Sequence, residues 1–265
     1  MNLTAEQQER YNRQVVLPEI GIEGQERICA SRVLVVGAGG LGSSASMYLA
    51  AAGTGAIGIV DSDTVELSNL QRQISHHTPD LGRDKVISST EKIQSINPDV
   101  RVVPHKMQID SENILGLVRE YDFVIEGTDN FPAKFLINDA CVLAGIPFVH
   151  AGILRFLGQA MTVVPGRSSC YRCSFRHPPP PDAVSSCAQA GILGPMAGVL
   201  GSVQAAETLK YLTGVGKLLT DTLLAFDALN MSFQQVSLKA REDCPVCGTN
   251  PTVTRLLDGV EGSYS

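Results

Sequence analysis

Two pairs of cysteines, Cys170-Tyr-Arg-Cys173 and Cys244-Pro-Val-Cys247, repeat one spacing at distant points of the chain. A CxxC turn presents both thiolates to one ion. Two such turns complete a tetrahedral shell with no open position, so the pattern predicts a structural Zn²⁺. Two unrelated redox pairs in one chain are the weaker reading. A second set of residues suits a nucleotide. Gly37, Gly39, Gly40 and Gly42 form a glycine turn, VVGAGGLG, between an apolar run and a helix-forming segment. Such a turn lets backbone N–H groups and the helix dipole meet a phosphate. The next apolar run ends in Asp61, where a carboxylate commonly takes ribose hydroxyls. Alone, this fingerprint would suit NAD or FAD.

The residues beyond Asp61 point to a triphosphate instead. Asp61, Asp63 and Glu66 are succeeded by Asn69, Arg72 and Gln73, then by Arg83 and Lys85. A dinucleotide enzyme has no need of converging cations here. A triphosphate does, because its charge must be neutralised and its α-phosphorus made electrophilic. A solvated helix flank is the plain alternative for each cation taken singly. Neither GxxxxGKS nor GxxxxGKT occurs, so the expected ATP site lacks a P-loop. Further on, DFVIEGTDNF delivers Asp129 to the C-terminal end of a strand, the edge where open α/β sheets bind ligands. A carboxylate there suits Mg²⁺ on the ATP phosphates, and capping the next helix is its competing, compatible use. Cys187 precedes another helical stretch, where a thiol pKa can be lowered; a spectator on a surface loop is the alternative. Cys29 and Cys141 lie in helical apolar patterns and read as core.

Together, VLVVGAGGLG, D-x-D-x-V-E-x-S-N-L-x-R-Q, GTDNF and the paired CxxC motifs resemble the MoeB/ThiF/HesA family, relatives of ubiquitin-activating enzymes. The resemblance runs from about Arg10 to about Asp258. It implies ATP-dependent adenylation of the C-terminal glycine of a small ubiquitin-like sulfur-carrier protein ending in Gly-Gly. The implied nucleotide-binding set is Gly37, Gly39, Gly40, Gly42, Asp61, Asp63, Asn69, Arg72, Gln73, Lys85, Asp129 and Asn130. Of these, Arg72, Lys85 and Asp129 would act on the reacting phosphates, with Mg²⁺ on Asp129. The resemblance also implies a homodimer in which Arg13 reaches ATP in the other subunit; otherwise Arg10 and Arg13 would make surface salt bridges. Some family members form a covalent link to the carrier at the position of Cys187, though the usual preceding proline is Ser186 here. Glu126 stands where many relatives carry aspartate. Many relatives append a rhodanese domain and this sequence ends at Ser265, so sulfur is expected in trans from a cysteine desulfurase or rhodanese. Molybdopterin, thiamin and tRNA-thiolation branches share all these motifs. A silent scaffold that binds a ubiquitin-like protein, or an NAD-linked oxidoreductase, are the rival readings.

Positioning these groups requires alternating elements. The sequence predicts helices over 4–14 and 22–30, then strands 33–37, 56–61, 100–104, 122–126 and 147–151 separated by helices 41–52, 82–96, 111–119 and 131–144. That alternation implies parallel βαβ units. Beyond Gly152, strands over 159–164, 222–228 and 233–238 read as antiparallel. The expected fold is α/β: a Rossmann-like doubly wound sheet, parallel in its N-terminal part and continuing into antiparallel strands, with a Cys₄ zinc site. One domain over 1–265 is expected, with a nucleotide part at about 31–151, a zinc and carrier-binding part at about 152–250 and a tail at 251–265. The 265 residues are 44 % hydrophobic, ample for a core, and the formal charge of −6 with no basic run argues against nucleic acid. The polar N-terminus lacks a signal-peptide core, and the glycine-rich run 190–206 suits a buried helix rather than a membrane span. Thiols without an export signal point to the cytoplasm.

Overall fold

A computed structural model describes residues 2–178 and 190–256. Thr4 opens the first helix with a capping box: its side chain accepts from the Gln7 amide while Gln7 returns to the Thr4 N–H. The expected helix 4–14 breaks at Tyr11 into α1 (Ala5–Arg10) and α2 (Asn12–Val15). Tyr11 turns into the core there, its hydroxyl accepting from Asn97 Nδ2 at 2.8 Å. α3 (Gly21–Ala30) leads into β1 (Arg32–Val36), and then α4 (Gly40–Ala52), β2 (Ala56–Val60), α5 (Lys85–Ile96), β3 (Arg101–His105), α6 (Ile114–Val118), β4 (Phe123–Glu126), α7 (Phe131–Ala144) and β5 (Phe148–Leu154) alternate. β6 (Leu157–Val163), the short α8 (Tyr171–Ser174), α9 (Gly194–Thr213), β7 (Thr222–Asp227) and β8 (Ser232–Ser237) complete the described elements.

The eight strands form one sheet in the order β3-β2-β1-β4-β5-β6-β7-β8. β1 to β5 run parallel, whereas β6, β7 and β8 pair antiparallel, so the expected change of pattern beyond Gly152 is what the sheet adopts. Strand order reverses at β1, which has β2 on one side and β4 on the other, and this opens a crevice beyond their C-terminal ends. Successive side chains of a strand face opposite ways. Val33 and Val35 therefore enter the core beneath α4 and α5 with Leu49, Ile57 and Ile93, while Leu34 and Val36 enter the core beneath α6 and α7 with Phe135, Ile137 and Tyr171.

Two expected helices are shorter than the sequence pattern suggested. Residues 82–84 stay out of α5 because Thr64 bridges Asp84 and the Lys85 N–H goes to the Asp63 carbonyl. Asp110 holds the amides of Glu112 and Asn113 in a turn, delaying α6 to Ile114. The glycine-rich run is α9, packed on α4: a methyl at Gly201 would lie 2.5 Å from the Leu41 carbonyl oxygen and 2.8 Å from Ser44 Cβ. Its buried Gln204 donates to the carbonyls of Glu126 and Val149 at 2.7 and 3.2 Å, which accounts for a polar residue inside an apolar run. No helix among the described residues is long and apolar enough to cross a membrane.

Among the described glycines, Gly42 leaves the least room for a side chain: a Cβ there would meet the Gly37 carbonyl oxygen at 1.8 Å. Gly37 itself sits at φ +98°, a conformation that disfavours side chains. Gly42→Ala is expected to cost about 3 kcal/mol or more by urea denaturation, because a backbone oxygen cannot move aside as a side chain can. A cost below about 1 kcal/mol would refute this account of the turn.

Candidate active site and metal centre

The crevice is a cleft of about 1700 Å³ reaching from the glycine turn across to β8. At one end, the Asp61 carboxylate ties the turn to the loop after β2, accepting from the Ala38 amide and the Asp63 amide, each at 2.8 Å. Buried His76 fixes the same turn from behind: Nε2 lies 3.0 Å from the Ala38 carbonyl and donates to it, so Nδ1 accepts from Ser88 Oγ at 2.9 Å. Burial lowers the His76 pKa and keeps that ring neutral. Lys85, at the start of α5, is buried, and its ammonium meets the exposed carboxylate of Asp63 at 2.8 Å. Gln73 is buried beside Gly39 with no partner on Oε1 among the described residues, and Arg72 donates to the Ser68 carbonyl. A methyl on Gly39 would come no closer than 3.7 Å to another protein atom, so the space it leaves opens onto the cleft.

Along the floor, Glu126 ends β4 with its carboxylate fully buried. Oε1 accepts from the Thr128 amide at 2.8 Å and from Lys134 Nζ at 3.0 Å; Oε2 takes Lys134 Nζ at 2.8 Å and His150 Nδ1 at 2.6 Å. Lys134 also donates to the carbonyls of Thr128 and Ala151. Burial alone would raise the Glu126 pKa; the Lys134 ammonium and the His150 hydrogen bond overcome it and hold the carboxyl at about 2. Asp129 follows this anchored loop and is exposed to the cleft. The helix cap is Asn130, whose Oδ1 accepts from the Ala133 amide at 2.9 Å, so Asp129 keeps its carboxylate clear of capping.

Against α7 lies the cysteine cluster. The Sγ atoms of Cys170 and Cys244 are 3.6 Å apart, those of Cys173 and Cys247 3.4 Å, and those of Cys170 and Cys173 3.9 Å; all four lie within 4.8 Å of one another. Tetrahedral Zn–S bonds of about 2.3 Å place sulfurs roughly 3.8 Å apart, whereas a disulfide needs about 2.05 Å. The four thiols therefore fit one Zn²⁺. Arg172, inside the first CxxC, forms a two-pronged ion pair with buried Asp139 of α7, both bonds 2.7 Å, and stacks over Phe135 at 4.7 Å.

A sequence profile described as the ThiF family matches residues 11–246. The chain belongs to the ThiF family. It is 46 % identical over 263 residues, covering 97 % of both chains, to a Thermus thermophilus protein named sulfur carrier protein adenylyltransferase. It is also 48 % identical over 250 residues to adenylyltransferase and sulfurtransferase MOCS3 of Sus scrofa, spanning 94 % of this chain and 55 % of that one. Among solved structures, E. coli MccB with succinimide shares the fold at a TM-score of 0.80 with 22 % identity, over 94 % of this chain and 75 % of that one.

In this ThiF chain the cleft brings together Gly37, Gly39, Gly40, Asp61, Asp63, Arg72, Gln73, Lys85, Asp129 and Asn130. Gly42 lies behind the turn, and Asn69 does not line the cleft: its Oδ1 accepts from the Glu66 amide and holds the loop that carries Arg72 and Gln73. Arg83 points elsewhere, paired with Asp80 and Glu91. Arg13 is exposed on α2 and lines a separate hollow with Tyr48, Ser202 and Leu209. Cys187 lies outside the described residues. Sequence reasoning missed Lys134 and His150; their only signal is position, four residues past Asn130 and at the end of an apolar run.

Two outcomes are expected of this geometry. Cys173→Ser or Cys247→Ser should drop one equivalent of bound zinc and lower the melting temperature by roughly 10 °C, as losing about 3 kcal/mol of metal-linked folding energy would. Metal analysis that finds no zinc in the wild type would sink the Cys₄ assignment. At Glu126 the sign is fixed by its depressed pKa: its contribution is full above the ordinary 4.5 and is lost as pH falls toward about 2. The penalty of Glu126→Gln in urea titrations should therefore shrink as pH drops below 4.5, by on the order of 3 kcal/mol over the whole window. A penalty that does not change with pH would show that the carboxylate is not held ionised.

Proposed function

We propose that this chain catalyses ATP-dependent adenylation of the C-terminal glycine of a small ubiquitin-like sulfur-carrier protein, activating it for thiocarboxylate formation. The observation that carries this reading is that Arg72, Lys85 and Asp129 line one cleft in a chain 46 % identical, over 97 % of its length, to a named sulfur carrier protein adenylyltransferase. A carboxylate is a poor acyl donor until its oxygen becomes part of a leaving group. In the step, a glycine carboxylate oxygen forms a bond to the α-phosphorus while the bond from that phosphorus to the bridging oxygen breaks, and pyrophosphate departs with the electron pair. Two anions must be held together for this, so the protein supplies position and positive charge.

The glycine turn would admit the phosphates, with Gly39 leaving room for their close approach. Asp61, the residue after β2, would take the ribose hydroxyls. Lys85 and Arg72 would meet the charge that builds on the phosphates, and Gln73 would offer its amide. Asp129 would hold Mg²⁺, a hard ion suited to carboxylate and phosphate oxygens, which neutralises the leaving pyrophosphate. The four cysteines would hold Zn²⁺ in a purely structural role.

The reading extends to a homodimer in which Arg13 of a second copy completes the phosphate site. Arg13 is exposed away from its own cleft, among exposed Val16, Leu17 and Tyr48, which supports such a surface. Exposed Leu157 and Val236, on one face of the antiparallel strands, support docking of the carrier there. Sulfur transfer from a cysteine desulfurase or rhodanese is a separate later step, and reduced thiolate ligands suit the cytoplasm.

Lys85→Ala is expected to lower carrier-dependent ATP–pyrophosphate exchange by about 100-fold or more while the fold and zinc content stay intact. Exchange within a few-fold of wild type would remove Lys85 from the mechanism.

A further inference from the structure

His150 stands opposite Glu126 in the β4–β5 register and begins a polar line toward the antiparallel half of the cleft. Its Nδ1 lies 2.6 Å from Glu126 Oε2. That carboxyl is ionised against Lys134, so Nδ1 carries the proton and donates. Burial keeps the ring neutral, which leaves a lone pair on Nε2. Gln159 on β6 brings its Nε2 to 3.4 Å from that lone pair, and only the amide N–H can serve it. The amide orientation is thereby set. Its NH₂ group faces His150, and Oε1 is left as a fixed acceptor on a residue that lines the cleft, with no protein donor on it among the described residues.

A fixed acceptor selects a ligand N–H. β6 lies two strand spacings from β4, about 10 Å at ~4.8 Å per strand, which suits contact with the last peptide bond of a tail whose carboxylate is brought to the loop carrying Asp129. The cleft neighbours of Gln159 on the same face of the sheet are Leu157, Ala225, Asp227, Ser232 and Gln234, a strip of small, apolar and hydrogen-bonding groups suited to an extended peptide. We propose that Gln159 recognises the N–H of the last peptide bond of the acceptor tail, and that the Glu126–His150 pair is the positioning device that turns its carbonyl toward that tail. This rests on the adenylation reading above. A tail ending in Gly-Gly offers no side chain to recognise, so its backbone N–H is the group left to read.

The test uses a ubiquitin-like sulfur-carrier protein prepared in two forms, natural and with the last peptide bond replaced by an ester, which removes the N–H. With the wild-type enzyme, the ester should raise the KM for carrier in ATP–pyrophosphate exchange about tenfold and leave the KM for ATP unchanged. Gln159→Leu should raise the KM for the natural carrier by about the same factor and show no further loss with the ester. Gln159→Met, which keeps the side-chain length, should behave likewise; a misfolded variant would lose ATP affinity too, and the wild-type comparison then decides. Equal treatment of the two carriers by wild type, or an ester penalty that persists undiminished in both variants, overturns the Gln159 assignment alone. Absence of exchange with the natural carrier overturns the adenylation reading and this inference with it.

Discussion

A carboxylate sealed at the end of a central strand is tolerable only if its charge is met on the spot, since leaving it unpaired costs several kcal/mol. Glu126 meets that condition with one ammonium and one imidazole. The same ammonium closes its remaining N–H bonds on the carbonyls of Thr128 and Ala151, so a single cation joins the end of β4, the first turn of α7 and the middle of β5. None of those three pieces can shift without stranding a buried charge. The loop that presents Asp129 is therefore rigid for an electrostatic reason. Its backbone is held before any ligand arrives, as preorganised charge stabilisation requires.

The sheet then separates two tasks by distance. The parallel half, with its strand-order reversal at β1, makes a crevice whose donors are backbone amides and cations. The antiparallel half extends the same cleft over side chains such as Leu157 and Ala225. Glu126 lies at the boundary, bonded to Lys134 of α7 and to His150 of β5. A compound bridging both halves would be anionic at one end and peptide-like at the other.

Some of this was legible in the sequence because local spacing alone dictates it. The glycine turn, Asp61 and the two CxxC turns need no knowledge of distant contacts, and they stand where the pattern put them. The change from parallel to antiparallel pairing could also be read, from strands that lack intervening helices. What escaped depends on which long side chains meet after folding. Arg83 and Lys85 look alike in sequence, yet Arg83 is drawn off by Asp80 and Glu91 while Lys85 remains at the cleft. Asp129 and Asn130 are both good helix caps, and only the backbone course assigns the cap to Asn130. His150 has no motif at all; its role exists because the parallel register sets it opposite Glu126.

The cysteine cluster belongs to the same chain of constraint. Its first turn is fastened to α7 by the Arg172–Asp139 pair and by the Tyr171 amide on Asn138 Oδ1 at 2.9 Å. α7 is the helix whose start carries Asn130 and whose first turn supplies Lys134. Arg172 and Asp139 are both buried, so breaking their pair would be costly. A metal held in the cysteine cluster, closed off from substrates, would thus still govern the cleft. By holding the segment around Cys244 against the turn at Cys170, it would keep Arg172 on Asp139 and brace α7 at both its N-terminal cap and its middle. Stability at the cysteine cluster and geometry at Asp129 would then be linked through one helix, with no ligand passing between them.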